Sequence, residues 1–149
     1  MRRYACFFVA AILLITIRGA GACSWDRTVS HEQLFARATS VFIGHIVRTE
    51  EVEGSFDGQR EMIIEGAFRV VEILKGPSPA GGKIRSLVYG PGNCAIPIVA
   101  GIDYLLFVQE DNLISFPTGS RALPSLKEDL QDNETKQVLQ RLRQLRDGG

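Results

Sequence analysis

Apolar positions along this chain follow two periods, and the switch between them predicts a helix, a run of strands and a second helix. Ser30-His31-Glu32-Gln33 has the capping-box pattern, in which Ser30 accepts from the Gln33 N–H and Gln33 reaches back. Leu34, Phe35 and Ala38 then mark one side of a short helix that ends at Thr39-Ser40. Val41 to Val47 is β-branched and aromatic, too short for a helix, and predicts a buried strand. Gly44 inside it predicts a bend or bulge. Residues 50 to 60 are polar, with Gly54 and Gly58, and predict a surface loop.

Met62 to Leu74 predicts a second long strand, broken at Gly66, with Phe68, Val70 and Leu74 on one face. Lys75 to Gly82 is a turn by composition. It lacks the chemistry of a phosphate-binding loop, because Gly82 stands where a lysine is needed and Ile84 follows Lys83 in place of a hydroxyl. Ile84 to Tyr89 predicts a third strand, Gly90 to Cys94 a loop, and Asp103 to Val108 a fourth strand. Glu110-Asp111-Asn112 turns tightly into a fifth, Leu113 to Phe116. From Ser125 onward, Leu126, Leu130, Val138, Leu142 and Leu145 recur at helical spacing among charges, with Asp132 or Asn133 as cap of the later part. The expected fold is mainly β: a five-stranded OB-like barrel, closed or partly closed, with a short N-terminal helix and a C-terminal amphipathic helix. That tail helix is expected to cover one side of the barrel, with partner binding as its alternative role.

The first residues change the picture by predicting a chain exported from the cytosol. Arg2 and Arg3, the apolar stretch Tyr4 to Ile17, and Ala20-Gly21-Ala22 have the order of a secretory signal over residues 1–22. The apolar run is shorter than the roughly 20 residues that span a bilayer. The expected organisation is a domain over 23–124 and a helical tail over 125–149. Localisation is then secreted, periplasmic or at the cell envelope. A cysteine directly after the cleavage site is also what a bacterial lipoprotein carries, although Ala20 stands where such signals usually have Leu. Membrane attachment is expected only in that lipidated case.

Without the signal the charge is 14 basic against 17 acidic residues. With no basic run and interleaved aromatics, nucleic acid is not an expected partner. Two cysteines remain, Cys23 and Cys94. An even pair in an oxidising compartment is expected to form a disulfide; the alternative is two free thiols, one lipidated. Closing so long a loop would remove roughly 4 kcal/mol of unfolded-state entropy in the chain-entropy account.

Candidate catalytic chemistry is sparse. His31 stands near a helix start and His45 in a strand, and neither has a partner at metal-ligand spacing. No Gly-x-Ser-x-Gly occurs. Asp57, Asp103 and Asp111 lie in or beside turns, where acids are solvated or cap backbone. Asn133-Glu134-Thr135 matches a glycosylation acceptor, a tripeptide common by chance. The chain is not expected to be an enzyme, and no cofactor or intrinsic metal is expected.

One resemblance runs through residues 23 to 126. Cys23-Ser24, then Gln33-Leu34-Phe35-Ala36 with Ala38, Val41-Phe42-Ile43-Gly44, Phe68-Arg69-Val70, Leu74-Lys75-Gly76, Leu87-Val88-Tyr89 ahead of Cys94, Asp103 to Phe107 and Leu113-Ile114-Ser115 follow one another in an order and spacing that resembles the tissue inhibitors of metalloproteinases and related netrin-like modules. The resemblance implies an OB-fold barrel of that type and a protein partner, in its most specific form a zinc metalloprotease. It implies that the α-amine and carbonyl of Cys23 chelate the partner's catalytic zinc, whose open position normally holds water. Ser24 would then point to the primary specificity pocket, and Gly92 and Asn93 would form the adjoining contact ridge. The Cys23–Cys94 bond would fix the terminus and lower the ordering cost of binding. The chain departs from the family where Trp25 replaces the second cysteine of Cys-x-Cys and Thr118-Gly119-Ser120 replaces a later one. Trp25 is then expected either to fill core volume or to stay exposed as an interface anchor. The alternative function is a non-inhibitory envelope or extracellular binding or structural module.

Overall fold

The computed structural model describes residue 23 and residues 28–56, 58–123 and 133–148. The expected signal segment, Ser24, Trp25, Asp57 and the start of the tail lie outside the described residues. Helix α1 (His31–Arg37) is followed by β1 (Ser40–Phe56), β2 (Gln59–Lys75), β3 (Lys83–Leu87), β4 (Asp103–Val108), β5 (Arg121–Leu123) and helix α2 (Asn133–Asp147). The strands form one antiparallel sheet in the order β3-β2-β1-β4-β5. The fold is therefore mainly β with two helices, as the pattern of apolar positions predicts.

The capping box forms at the start of α1. Gln33 N–H donates to Ser30 Oγ at 3.3 Å, and Ser30 N–H donates to Gln33 Oε1 at 3.0 Å. Its other end is closed from a distance by Lys75 at the end of β2. The Lys75 ammonium donates to the carbonyls of Phe35, Ala36 and Ala38 at 2.7, 3.0 and 2.7 Å. Those are acceptors that a helix C-terminus leaves without intrahelical partners.

The unbroken apolar runs of β1 and β4 are explained by burial on both faces of the sheet. Val41 and Ile43 of β1, with Leu105 and Phe107 of β4, pack against Val138, Leu139 and Leu142 of α2, with Leu34 and Phe35 of α1 against the same cluster. Phe42, Ile46, Tyr104, Leu106 and Val108 point to the opposite side, where Phe68, Ile84, Ile96, Ile98 and Ile114 complete a second cluster. Alternate side chains of one strand thus enter two different cores.

Several expected elements are corrected. Residues 50 to 60 are not a loop. β1 continues to Phe56 and β2 begins at Gln59, and Phe56 pairs with Gln59, so the two make one long hairpin. Asp-Gly between strands supports a two-residue turn, and Gly58 takes a φ of 75°. Gly66 does not break β2; a Cβ there would lie 2.7 Å from Ile98 Cγ2, so glycine gives Ile98 its seat on the strand. Phe68, Val70 and Leu74 do not share one face: Phe68 packs in the cluster of Phe42 and Ile46, Leu74 in the opposite cluster under α2, and Val70 is 42% exposed. The register shift between Ile43 and Gly44 pairs Glu72 with the former and Val70 with the latter, inserting a residue in β2. That shift also places the predicted irregularity at Gly44.

The third strand ends at Leu87, leaving Val88 and Tyr89 exposed. The expected fifth strand makes only isolated bridges, Leu113 to Arg85 and Ser115 to Ala95. A short 3-10 turn, Phe116–Thr118, follows at once, and Pro117 has no N–H with which to continue a ladder. The last strand is Arg121–Leu123 instead. The sheet is accordingly open, not a closed barrel: its end strands, β3 and β5, do not pair with each other.

Helix α2 is docked by its Val138, Leu139 and Leu142 face and by charges around it. Arg143 Nη2 lies 2.7 Å from Glu72 Oε2 and Arg146 Nη1 3.0 Å from Glu72 Oε1, while Arg141 Nε donates to Glu32 of α1 at 2.8 Å. The Arg143 guanidinium holds Glu72 below the ordinary carboxylate range, and Arg141 brings Glu32 down to about 2. Carboxylates depressed in the folded state bind fewer protons there than when unfolded. Their contribution is present above the ordinary value of 4.5 and is lost as pH falls through the folded value. The urea midpoint is therefore expected to fall on acidification below about pH 4.5, with Glu72→Gln showing a shallower fall. Parallel curves for the two proteins would rule out Glu72 as a contributor.

Candidate functional site

Cys23 is disulfide-bonded to Cys94, with their Cα atoms 5.1 Å apart. The bond ties the residue at the start of the described chain to the loop between β3 and β4. That loop is built to stay in place. Asn93 Oδ1 accepts from Gly90 N–H at 3.3 Å and from Ala95 N–H at 3.2 Å, while Asn93 Nδ2 donates to the Val88 carbonyl at 2.8 Å. One amide side chain thereby satisfies three backbone groups of a turn that has few internal bonds of its own. Gly92, with a φ of 82°, makes the turn in a conformation other residues seldom adopt.

The segment after the turn is anchored to the sheet. The Cys94 carbonyl accepts from Phe116 N–H at 3.0 Å, and Ile96 N–H donates to the buried Ser86 Oγ at 3.1 Å. Tyr104 Oη donates to the Pro97 carbonyl at 2.8 Å and accepts from Val99 N–H at 3.1 Å. Burial of the Tyr104 phenol raises its pKa, so the hydroxyl remains a donor at neutral pH. Position and orientation at Cys94 are thus set by bonds to β3, to β4 and to the 3-10 turn.

Of the residues singled out in the sequence, Cys23, Gly92, Asn93 and Cys94 come together at this loop, Asn93 as its organiser and Gly92 as its exposed turn. Ser24 lies outside the described residues. Two aromatics expected at the ends of strands, Tyr89 and Phe116, belong here instead. Tyr89, 63% exposed, precedes the Gly-Pro-Gly turn, and the partly exposed Phe116 is bonded to Cys94 through its backbone. Tyr89 directly before that turn was the available signal, since a strand rarely runs into two glycines and a proline. Phe116 also borders an open apolar groove of about 470 Å³, lined by Ile96, Pro97, Val99, Ile102 and Tyr104 among others.

The histidines lie elsewhere. His45 Nδ1 is 2.6 Å from Asp103 Oδ1, a pair that joins β1 to β4. Arg121 Nη2 is 3.2 Å from His31 Nε2, and because a guanidinium only donates, Nε2 is the acceptor. Burial, then the Arg121 charge, keeps His31 below the usual imidazole range. Asp111 caps its own turn by accepting from Leu113 N–H at 3.0 Å. Among the described residues, no three of His, Cys, Asp and Glu converge as ligands of one metal ion would.

No protein-family model matches this chain, and no curated protein matches it in sequence.

Proposed function

We propose that this chain is an exported protein-binding module of the netrin-like, OB-like kind, and that its most specific activity is inhibition of a zinc metalloprotease through Cys23. The observation that carries the proposal is the Cys23–Cys94 bond onto a loop that Asn93 and Phe116 hold rigid. After cleavage before Cys23, an α-amine and a carbonyl separated by one Cα would be held at a protein surface. Such a pair matches the N,O donor set that can replace water at an open zinc position. Pre-fixing it reduces the freedom lost on binding. Ser24 would enter the partner's specificity pocket beside the metal, and Gly92 and Asn93, with Tyr89, would form the adjoining ridge.

The OB-like reading is supported by one bridge from the β3 end of the sheet rather than by closure. The Arg85–Leu113 bridge is parallel and brings β3 to the stretch that follows β4, as a five-stranded barrel would require. The disulfide also occupies the one sulfur that a lipid anchor on Cys23 would use, which favours a free terminus over a lipoprotein.

The test begins with intact mass and N-terminal sequencing of the exported protein, before and after reduction. It continues with inhibition assays against a set of zinc endopeptidases, using the protein as exported and a form with one alanine added before Cys23. Inhibition by the first, weakened at least about a hundredfold by the added residue, is expected for a chelating terminus. An acylated or internal Cys23, or inhibition indifferent to the extra alanine, would overturn the chelation mechanism. It would leave the non-inhibitory binding module as the reading.

A further inference from the structure

The long hairpin places an unpaired strand edge outside the rest of the sheet. β4 covers β1 only from Ser40 to His45. Ile46 then exchanges backbone bonds with Ile102 and Gly101 at 3.0 and 2.8 Å. From Val47 to Phe56, β1 pairs with β2 alone among the described residues. At about 3.3 Å per residue this leaves an open edge of roughly 30 Å.

Which backbone groups face outward follows from the register. Phe56 pairs with Gln59 across the two-residue turn, which makes that pair the hydrogen-bonded one, and the ladder alternates from there. Thr49, Glu51, Glu53 and Ser55 therefore direct their N–H and C=O groups away from β2. The same four residues share one face of the ribbon. Glu51 and Glu53 are exposed and have no ion-pair partner among the described residues, unlike Glu50, which lies 3.6 Å from both Arg48 and Lys83.

We propose that this edge is a docking site for an extended, lysine- or arginine-bearing segment of a partner protein, which would add as a strand beside β1. The charge decides the occupant. A second copy of the chain laid antiparallel on the same edge would set Glu51 and Glu53 against their own counterparts, and like charges directly opposite are destabilising. A basic strand meets the same carboxylates with the favourable sign, while the backbone bonds supply sequence-independent affinity. This surface is independent of the Cys23 terminus, so either proposal can fail alone.

The test is an amide NMR titration of the exported protein with acetyl-Lys-Val-Lys-Val-Lys-Val-Lys-amide. Saturable shifts and slowed hydrogen exchange at Thr49, Glu51, Glu53 and Ser55 are expected, with affinity falling as salt is raised. The double variant E51K/E53K, which changes only exposed side chains, should bind about tenfold or more weakly. The same peptide with Glu at every Lys should leave those amides unchanged. Absence of shifts at the four residues, equal binding of the acidic peptide, or concentration-dependent self-association through this edge would each overturn the proposal.

Discussion

Cys94→Ser is expected to lower the unfolding free energy by about 4 kcal/mol in the chain-entropy account of a closed loop this long. The bond spans a sequence separation of 71 residues, so its removal frees more than half of the domain's unfolded chain from a constraint. Little else at the site should change in the folded state. Asn93 still bridges Val88, Gly90 and Ala95, and the backbone bond from Phe116 to the residue at 94 does not need the sulfur. The loss should therefore appear as a midpoint shift of roughly 10–20 °C in thermal unfolding. Cys23→Ser should produce the same shift, and the double variant no further one, because both single changes remove the same cross-link. Treating the unaltered protein with reductant should reproduce it. Additive losses, or a variant as stable as the unaltered protein, would mean that the bond does not constrain the unfolded chain.

The same comparison separates stability from function. If the terminus works by being fixed, the serine variants at low temperature, still folded, should lose partner affinity through a faster off-rate rather than a slower on-rate. A loss of affinity seen only where the variant is unfolded would reduce the disulfide to a structural role.

What the sequence disclosed, and what it hid, divides along the range of the interactions involved. The start of α1 was legible because a capping box is settled within four residues, and Ser30 and Gln33 make both of its bonds. β4 was legible to the residue because every position after Asp103 is apolar and both of its faces are covered. The far half of the hairpin was not, since Glu50, Glu51, Glu53 and Gly54 have little strand preference of their own. They are held in β1 by their register with β2, a partner that propensity cannot see. Asp57-Gly58 was the local signal that could have disclosed it.

The last strand failed for the opposite reason. Leu113 to Phe116 has strand-like residues, but Asn112 with a φ of 57° and Pro117 bracket it too closely for a ladder. At the site, the pairing of Cys23 with Cys94 followed from compartment and parity, whereas the clamp around it did not. The bonds from Ser86, Tyr104 and Phe116 join residues far apart in the chain by their place in the fold, and no spacing rule encodes them.

Leu142→Ala is expected to cost about 2–5 kcal/mol, the range for truncating a fully buried leucine that leaves a cavity. Leu142 has no exposed surface and sits among Val41, Ile43, Leu105 and Phe107, the face of the sheet that α2 covers. The helix has few other ways to hold on. Its ion pairs through Arg141, Arg143 and Arg146 are partly exposed to solvent, where screening leaves such pairs individually weak. Leu145, only partly buried at the margin of the same cluster, gives the internal comparison. Its replacement by alanine should cost clearly less, because less apolar surface is returned to water. Losses of equal size at the two positions, or a loss below about 0.5 kcal/mol at Leu142, would contradict a helix packed by that face. Urea denaturation followed by far-UV circular dichroism measures both. A larger loss of helix than of sheet signal before the main transition would show that α2 leaves first. That order follows from the architecture: α2 is held by one apolar stripe and a rim of ion pairs, whereas every strand of the sheet is held by a ladder and two of them by two cores.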